Sequence, residues 1–440
     1  MSDLIAVGPP AHRQTRQAAR LALGTASALG LARFAYGLLL PAMRDELHWS
    51  LAEAGAMSTA NGLGYLLGAL VTAAAVRRLG TAATFRWGMV LTALALAVTA
   101  ASDAYPVLLA ARAAAGAAGA AVFVTGGVIA SRLAARAASG TPITVYFAGT
   151  GLGIVVGGVG IPPLGGRLHL AWAGLGVAAG LAALLSWTAA RAGEEPQADQ
   201  KAQAGKGPRS GKEARAGQEV QAGEEARAGE EASAATGGRV HVRPLWGVAL
   251  AYLLFAAGYI TYITFLSAYL ADRHAPLGQV MLTWTALGLA VVAAPALWSR
   301  PTAAWPGTRA LAVLLGLLSG GAALAMAAPA PPVVLASAIV YGATFMGVPA
   351  AVTALIKANT PPADWTATLA AFTVIFAAGQ TAGPWLAGLV ADHTSTAAAL
   401  AWTAILCAAA ALIAACATPS RRAGAGLAEK TPDAEASTRQ

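Results

Sequence analysis

Twelve apolar stretches, each long enough to cross about 30 Å of hydrocarbon as a helix of roughly 20 residues, constrain this 440-residue chain more than any other feature. They run approximately over 17–42, 51–76, 83–102, 105–132, 141–164, 169–190, 244–270, 277–298, 308–328, 332–357, 364–390 and 395–418. Each is continuously apolar and rich in Ala, Leu and Gly. A membrane-spanning strand would instead show alternation over about ten residues, so the expected fold class is an all-α polytopic membrane protein. Composition agrees: 57% of residues are hydrophobic and 11% charged, with mean hydropathy +0.60, whereas a soluble domain carries about 25% charged residues.

Orientation follows from the basic residues of the short connections, which accumulate on the cytoplasmic side. One side collects Arg13, Arg16 and Arg20, then Arg77, Arg78 and Arg86, then Arg132 and Arg136, with Arg300, Arg309, Lys357, Arg421 and Arg422. The other holds only Arg44, Arg167 and Arg273. Both termini are therefore expected in the cytoplasm, and the polar start of the chain runs into the first stretch without the pattern of a removable signal peptide. Because the net charge of +9 arises from these loops and tails, it calls for no nucleic-acid partner.

The stretches divide into a cytoplasmic tail (1–16), a six-helix bundle (17–190), a linker (191–243), a second bundle (244–418) and a tail (419–440). Ala, Gly, Glu, Gln, Lys and Arg dominate the linker, including the units ARAGQE, VQAGEE and ARAGEE. Such a segment cannot bury enough apolar surface to fold and is expected to be a disordered cytoplasmic connection. Its nine basic and nine acidic residues cancel, so it is not a polybasic lipid-binding patch. The bundles are related at a shift of about 228 residues: Gly30 falls on Gly258, the aromatic stretch around Tyr36 on YITYITFLSAYL, and Phe147-Ala148 on Phe376-Ala377. Two such repeats make a transporter architecture. Under that shift Arg33 falls on Thr261 and Arg112 on Tyr341, so neither arginine is duplicated, as a residue needed merely to build the six-helix unit would be.

Arg112-x-x-x-Gly116-x-x-Gly119 in the fourth stretch, and Gly149, Gly153, Gly157, Gly158 and Pro162 in the fifth, resemble two motifs of the major facilitator superfamily, although the family's Gly-Pro pair is missing. In the loop AAAVRRLGTAAT, Arg78 and Gly80 match the family's gating motif while Arg77 stands where it has Asp. GLARFAYGLLLPAMRDEL together with NGLGYLLGAL is similar to the bacterial YbfB/YjiJ-like branch. The resemblance implies that superfamily's fold, twelve helices in two pseudo-symmetric halves, and secondary active transport of a small organic solute by alternating access in a bacterial inner membrane, with coupling to protons. It also implies that spans 3, 6, 9 and 12 stay outside a central cavity. Consistently, those four carry no deeply placed charge, while Arg33, Asn61, Arg112, Tyr146 and Gln380 fall in spans 1, 2, 4, 5 and 11.

A guanidinium in a hydrocarbon segment costs roughly 2.5–3.5 kcal/mol on insertion scales and survives where it faces protein or a watery cavity. Arg33 and Arg112 are placed in one layer, about 10–12 Å from the outer ends of their helices, with Asn61 at similar depth, Tyr65 one turn further and Tyr36 three residues from Arg33. Guanidinium, amide and phenol together suit a carboxylate-bearing solute, because Arg offers a planar bidentate fork. Each residue also has a structural reading. Arg33 can contact substrate or gate, or it can bond backbone carbonyls. The resemblance implies conformational or proton coupling for Arg112, which can equally snorkel. Asn61 and Gln380 suit either the cavity or interhelical bonding; Tyr65, Tyr146, Thr261 and Tyr262 suit either the cavity or packing. Gly64-x-x-x-Gly68 and Gly153-x-x-x-Gly157 permit close helix approach; with Arg78, Gly80, Gly116 and Gly119 they are the gating and packing candidates.

Acidic residues such as Asp45, Glu53, Asp103, Asp272, Asp364 and Asp392 fall at span ends or in loops, so no embedded carboxylate supports a proton relay and the negative charge is expected from the substrate. Six scattered histidines without ligand spacing, and the absence of a phosphate loop or nucleophile elbow, speak against an enzyme: no catalytic residue, metal or cofactor is expected. The expected partners are a small-molecule substrate and the lipid bilayer, the chain acting as a monomer. An exporter of lipophilic drugs and a non-transporting sensor or scaffold are the alternatives.

Overall fold

A computed structural model describes residues 10–164, 166–193, 239–328 and 330–417. Among them all regular structure is helical, and twelve helices are long and apolar enough to cross a membrane: α1 (His12–Leu47), α2 (Leu51–Leu79), α3 (Thr81–Ala100), α4 (Tyr105–Ala137), α5 (Thr141–Leu164), α6 (Leu168–Ser186), α7 (Arg243–Ala271), α8 (Leu277–Ala304), α9 (Arg309–Ala327), α10 (Pro331–Asn359), α11 (Ala367–Asp392) and α12 (Thr396–Cys416). Most ends fall within a few residues of the apolar stretches; α8 continues furthest beyond expectation, to 304 rather than 298. Most of the linker expected at 191–243, residues 1–9 of the N-terminal tail and all of the tail expected at 419–440 lie outside the described residues; the rest of the N-terminal tail, from Pro10, is already helical. The helices fall into two six-helix halves, α1–α6 and α7–α12. The face bearing the start of α1 and the end of α12 is called here the terminal face.

The first helix is not a regular α-helix. Ala26–Phe34 widens into a π-helix, closed by an Ala35 N–H to Gly30 carbonyl bond of 2.9 Å, and α geometry resumes at Tyr36. Such i→i−5 segments are rare and concentrate at functional sites. Here the π segment is wholly buried and ends at Arg33 and Phe34.

The halves meet along α2 with α11, α5 with α8, and α1 with α7. Near the face opposite the termini this seam is tight. Gly55 of α2 lies against the Pro384 carbonyl, and Gly388 of α11 against Leu51 and Ala52, so closely that a Cβ on either glycine would overlap backbone. Ser58 and Thr264 hydroxyls bond at 3.0 Å, and Thr59 donates to the Thr381 carbonyl at 2.6 Å. The start of α2 is capped twice. Ser50 and Glu53 form a reciprocal capping box, while the Asp392 carboxylate, from the other half, accepts the Leu51 and Ala52 N–H groups at 2.6 and 2.9 Å. A carboxylate at a helix N-terminus satisfies orphan donors and complements the helix dipole.

Towards the terminal face the seam opens. A cavity of about 110 Å³ lies among α4, α5, α8 and α10, lined mainly by Phe123, Ile143, Phe147, Val291, Trp298 and Met346, with the hydroxyls of Thr144, Ser299 and Thr302. It is smaller than a pocket for a drug-sized ligand, roughly 300–1,000 Å³.

Candidate functional site

Between the seal and the cavity, Arg33 reaches from α1 into the other half. Its Nη2 donates to the Gln380 Oε1 of α11 at 2.6 Å and to the Tyr259 hydroxyl of α7 at 3.0 Å, and Tyr259 donates to the same Gln380 oxygen at 3.1 Å. The guanidinium lies over the ring of Tyr65 at 5.3 Å and beside Phe34 at 5.8 Å. Arg33 is 8% exposed, and among the described residues no carboxylate pairs with it. A buried cation thus rests on two neutral acceptors and aromatic faces. Cation–π contact contributes about 0.5–2 kcal/mol, less than an anion would. Tyr65 in turn meets the ring of Phe123 at 6.4 Å, and Phe123 lines the cavity. One aromatic layer therefore separates the guanidinium from open space on the terminal side.

Arg112 has the same side chain and a different setting. At 2% exposure, it donates to the Ala32 carbonyl and, at 3.5 Å, to that of Arg33. These carbonyls lie where α1 passes from π to α geometry, a change of register that leaves acceptors short of helical N–H partners. Tyr36 and Trp172 ring faces enclose the guanidinium at 4.8 and 6.0 Å. Tyr36 donates to the Ala54 carbonyl at 2.7 Å, and Asn61 Nδ2 donates to the Arg112 carbonyl at 3.1 Å. All these contacts stay within the N-terminal half.

The expected layer therefore resolves into two groups: Arg33 and Tyr65 at the seam, where Gln380 joins them, and Arg112, Tyr36 and Asn61 beside α1. Three candidates lie apart. Tyr146 is buried against α4, donating to the Val122 carbonyl at 2.9 Å. Thr261 bonds the Ala257 carbonyl of its own helix at 3.3 Å. Tyr262 bonds Ser337 at 2.7 Å and stacks on Tyr341 with centroids 3.9 Å apart. Among the gating and packing candidates, Gly116 packs on the Asn61 and Tyr65 backbone and Gly153 on Ala26 and Gly30; Gly157 approaches Ala35 and Gly119 approaches Ala28. All four stay inside the N-terminal half. Gly80 has φ +84°, a conformation that favours glycine, and Arg78 is exposed beside it.

The residue that sequence reasoning missed is Tyr259. It stands within the aromatic run already noted on α7, one turn before Tyr262, but counting faces at 3.6 residues per turn gives no account of the π segment opposite. Asp392 was noted only as a span-end acid. Its signal was the helix start at Ser50-x-x-Glu53, which advertises a terminus but not the partner that caps it.

A tight seal at one face, a cavity towards the other and a polar node between them are the working parts of a transporter of the major facilitator type. The chain belongs to the family described as "Uncharacterised MFS-type transporter YbfB", which matches residues 25–216 and 219–418. No curated protein matches the sequence. Solved structures of similar fold include the human organic anion transporter MFSD10 (TETRAN), with TM-score 0.57 and 18% identity, covering 92% of this chain and 100% of that one. A bacterial homolog of the human lysosomal transporter Spinster, in an inward-facing and unoccupied conformation, gives TM-score 0.60 and 13% identity over 94% of this chain and 96% of that one. The nucleoside transporter NupG gives TM-score 0.64 and 14% identity over 91% and 97%. At such identities the likeness concerns the fold alone.

Proposed function

We propose that the protein is a secondary transporter carrying a small organic anion across a bacterial inner membrane, its two halves rocking about Arg33. The observation that carries this reading is the buried guanidinium of Arg33, held between the halves by neutral acceptors alone, with Nε and Nη1 making no hydrogen bond to the described protein. A carboxylate would supply the missing charge and a bidentate partner. The terminal face is cytoplasmic, in keeping with the basic residues gathered there, so the conformation described is open inward. The chain works as a monomer, and the resemblance supplies the coupling to protons. Arg112 acts by holding the backbone that presents Arg33.

A second reading has its own support: the cavity lining contains no charged residue and several aromatic ones, which suits lipophilic compounds. Uptake by proteoliposomes, with radiolabelled organic acids, amines and neutral drugs compared in wild type and Arg33→Ala, separates the two. The anion reading expects uptake of particular acids that the substitution abolishes. Uptake of amines or neutral drugs alone, equal in both proteins, would sink it.

A further inference from the structure

We infer that Gln380 is an internal stand-in for the solute: its carboxamide occupies the arm of Arg33 that a carboxylate takes when the solute binds, and a monocarboxylate with an apolar body displaces it. This rests on the anion reading above. A guanidinium has only donors, so the amide of Gln380 must turn its oxygen to Arg33, as it does. Its Nε2 is left buried and without a partner. The side chain thus meets the guanidinium as half a carboxylate, presenting one oxygen rather than two and no charge. A carboxylate arriving past Tyr65 and Phe123 from the cavity pairs in bidentate fashion only through Nη2 together with Nε or Nη1, so it must take the arm that Gln380 holds, and its charge-assisted bonds are stronger than those of a neutral amide.

Of the two buried guanidiniums, only that of Arg33 reaches the seam between the halves, Arg112 being spent on α1 carbonyls; a single accessible positive charge matches a single negative one, and a lining of Phe123, Phe147 and Trp298 matches an apolar or aromatic body. The displacement also has a mechanical consequence. The bonds from Arg33 to Gln380 and Tyr259 tie α1 to α11 and α7 across the seam, and Gly62 of α2 packs close to the backbone carbonyl of Gln380 itself. A solute that takes over Arg33 removes that polar tie where the seal meets the cavity, so its binding energy favours separation of the halves there.

The test is equilibrium binding of radiolabelled benzoate to the purified full-length protein as wild type, Gln380→Ala, Gln380→Glu and Arg33→Ala. Removing the competitor should tighten benzoate binding on the order of tenfold, while the permanent carboxylate of Gln380→Glu should weaken it by at least as much. Arg33→Ala should not bind. A contact residue behaves oppositely: weaker binding in Gln380→Ala overturns the proposal, and so do affinities unchanged in both Gln380 variants. If Gln380→Ala does not fold, Gln380→Asn, which withdraws the oxygen by one methylene, must tighten binding in its place, and failure to do so likewise overturns it. Benzoate binding to neither wild type nor any Gln380 variant, or binding that persists in Arg33→Ala, removes the anion reading at Arg33 and the proposal with it.

Discussion

In the N-terminal half the guanidinium of Arg112 donates to the Ala32 and Arg33 carbonyls of α1. In the C-terminal half the phenol of Tyr341, which the internal repeat sets opposite Arg112, donates to the Tyr259 carbonyl of α7 at 2.5 Å. Both halves therefore brace the middle of their first helix from the fourth, with different chemistry. Neither arginine is duplicated, but at Arg112 the brace is repeated by Tyr341 with another residue type. Comparing residue letters hid this, since a backbone carbonyl accepts equally from a guanidinium and a phenol. Arg33 remains unmatched: its counterpart Thr261 bonds only its own helix. The braces build the halves, and the unduplicated cation sits between them.

The severest way to break this comparison is to remove the N-terminal brace. Arg112→Met should leave two buried carbonyls short of donors and lower stability by about 2–5 kcal/mol, seen as a large fall in unfolding temperature. Next, Arg33→Met should abolish measurable benzoate binding in a titration, because the charged partner of the carboxylate is gone. Its stability should not fall, because a buried cation without an anionic partner is removed. Tyr341→Phe deletes a single bond of the C-terminal brace and should cost about 1 kcal/mol. Loss as large as that of Arg112→Met would mean that the single phenol bond weighs as much as the guanidinium brace, against this account. Smallest is Asp392→Ala, whose carboxylate is exposed and whose caps are worth about 0.5–1 kcal/mol. Spin labels at 46 and 394, across the seam at that face, should report a population with a longer separation, and an unchanged distribution would deny the carboxylate a latching role.

The comparison also shows what could be read from the letters. Twelve spans were legible because a hydrocarbon layer imposes a run length that the sequence displays directly. Arg33 and Gln380 were legible because intramembrane polarity is rare, and the Gly64 and Gly153 packing because small residues recur at four-residue spacing. The pairing of Arg33 with Gln380 was not legible, since 347 positions separate them and only the meeting of α1 with α11 joins them. Nor was the separation of Arg33 from Arg112. Depth counted at 1.5 Å per residue puts both in one layer and says nothing of which one reaches the partner half.

The most direct test sets the two arginines side by side. Unfolding temperatures of purified wild type, Arg33→Met and Arg112→Met would be measured with and without benzoate, since a ligand that binds only the folded protein must stabilise it. This account predicts that Arg33→Met melts no lower than wild type and ignores benzoate, whereas Arg112→Met melts lower and its folded fraction still responds. An Arg33→Met protein that melts well below wild type yet is still stabilised by benzoate would make Arg33 the structural residue and contradict the account.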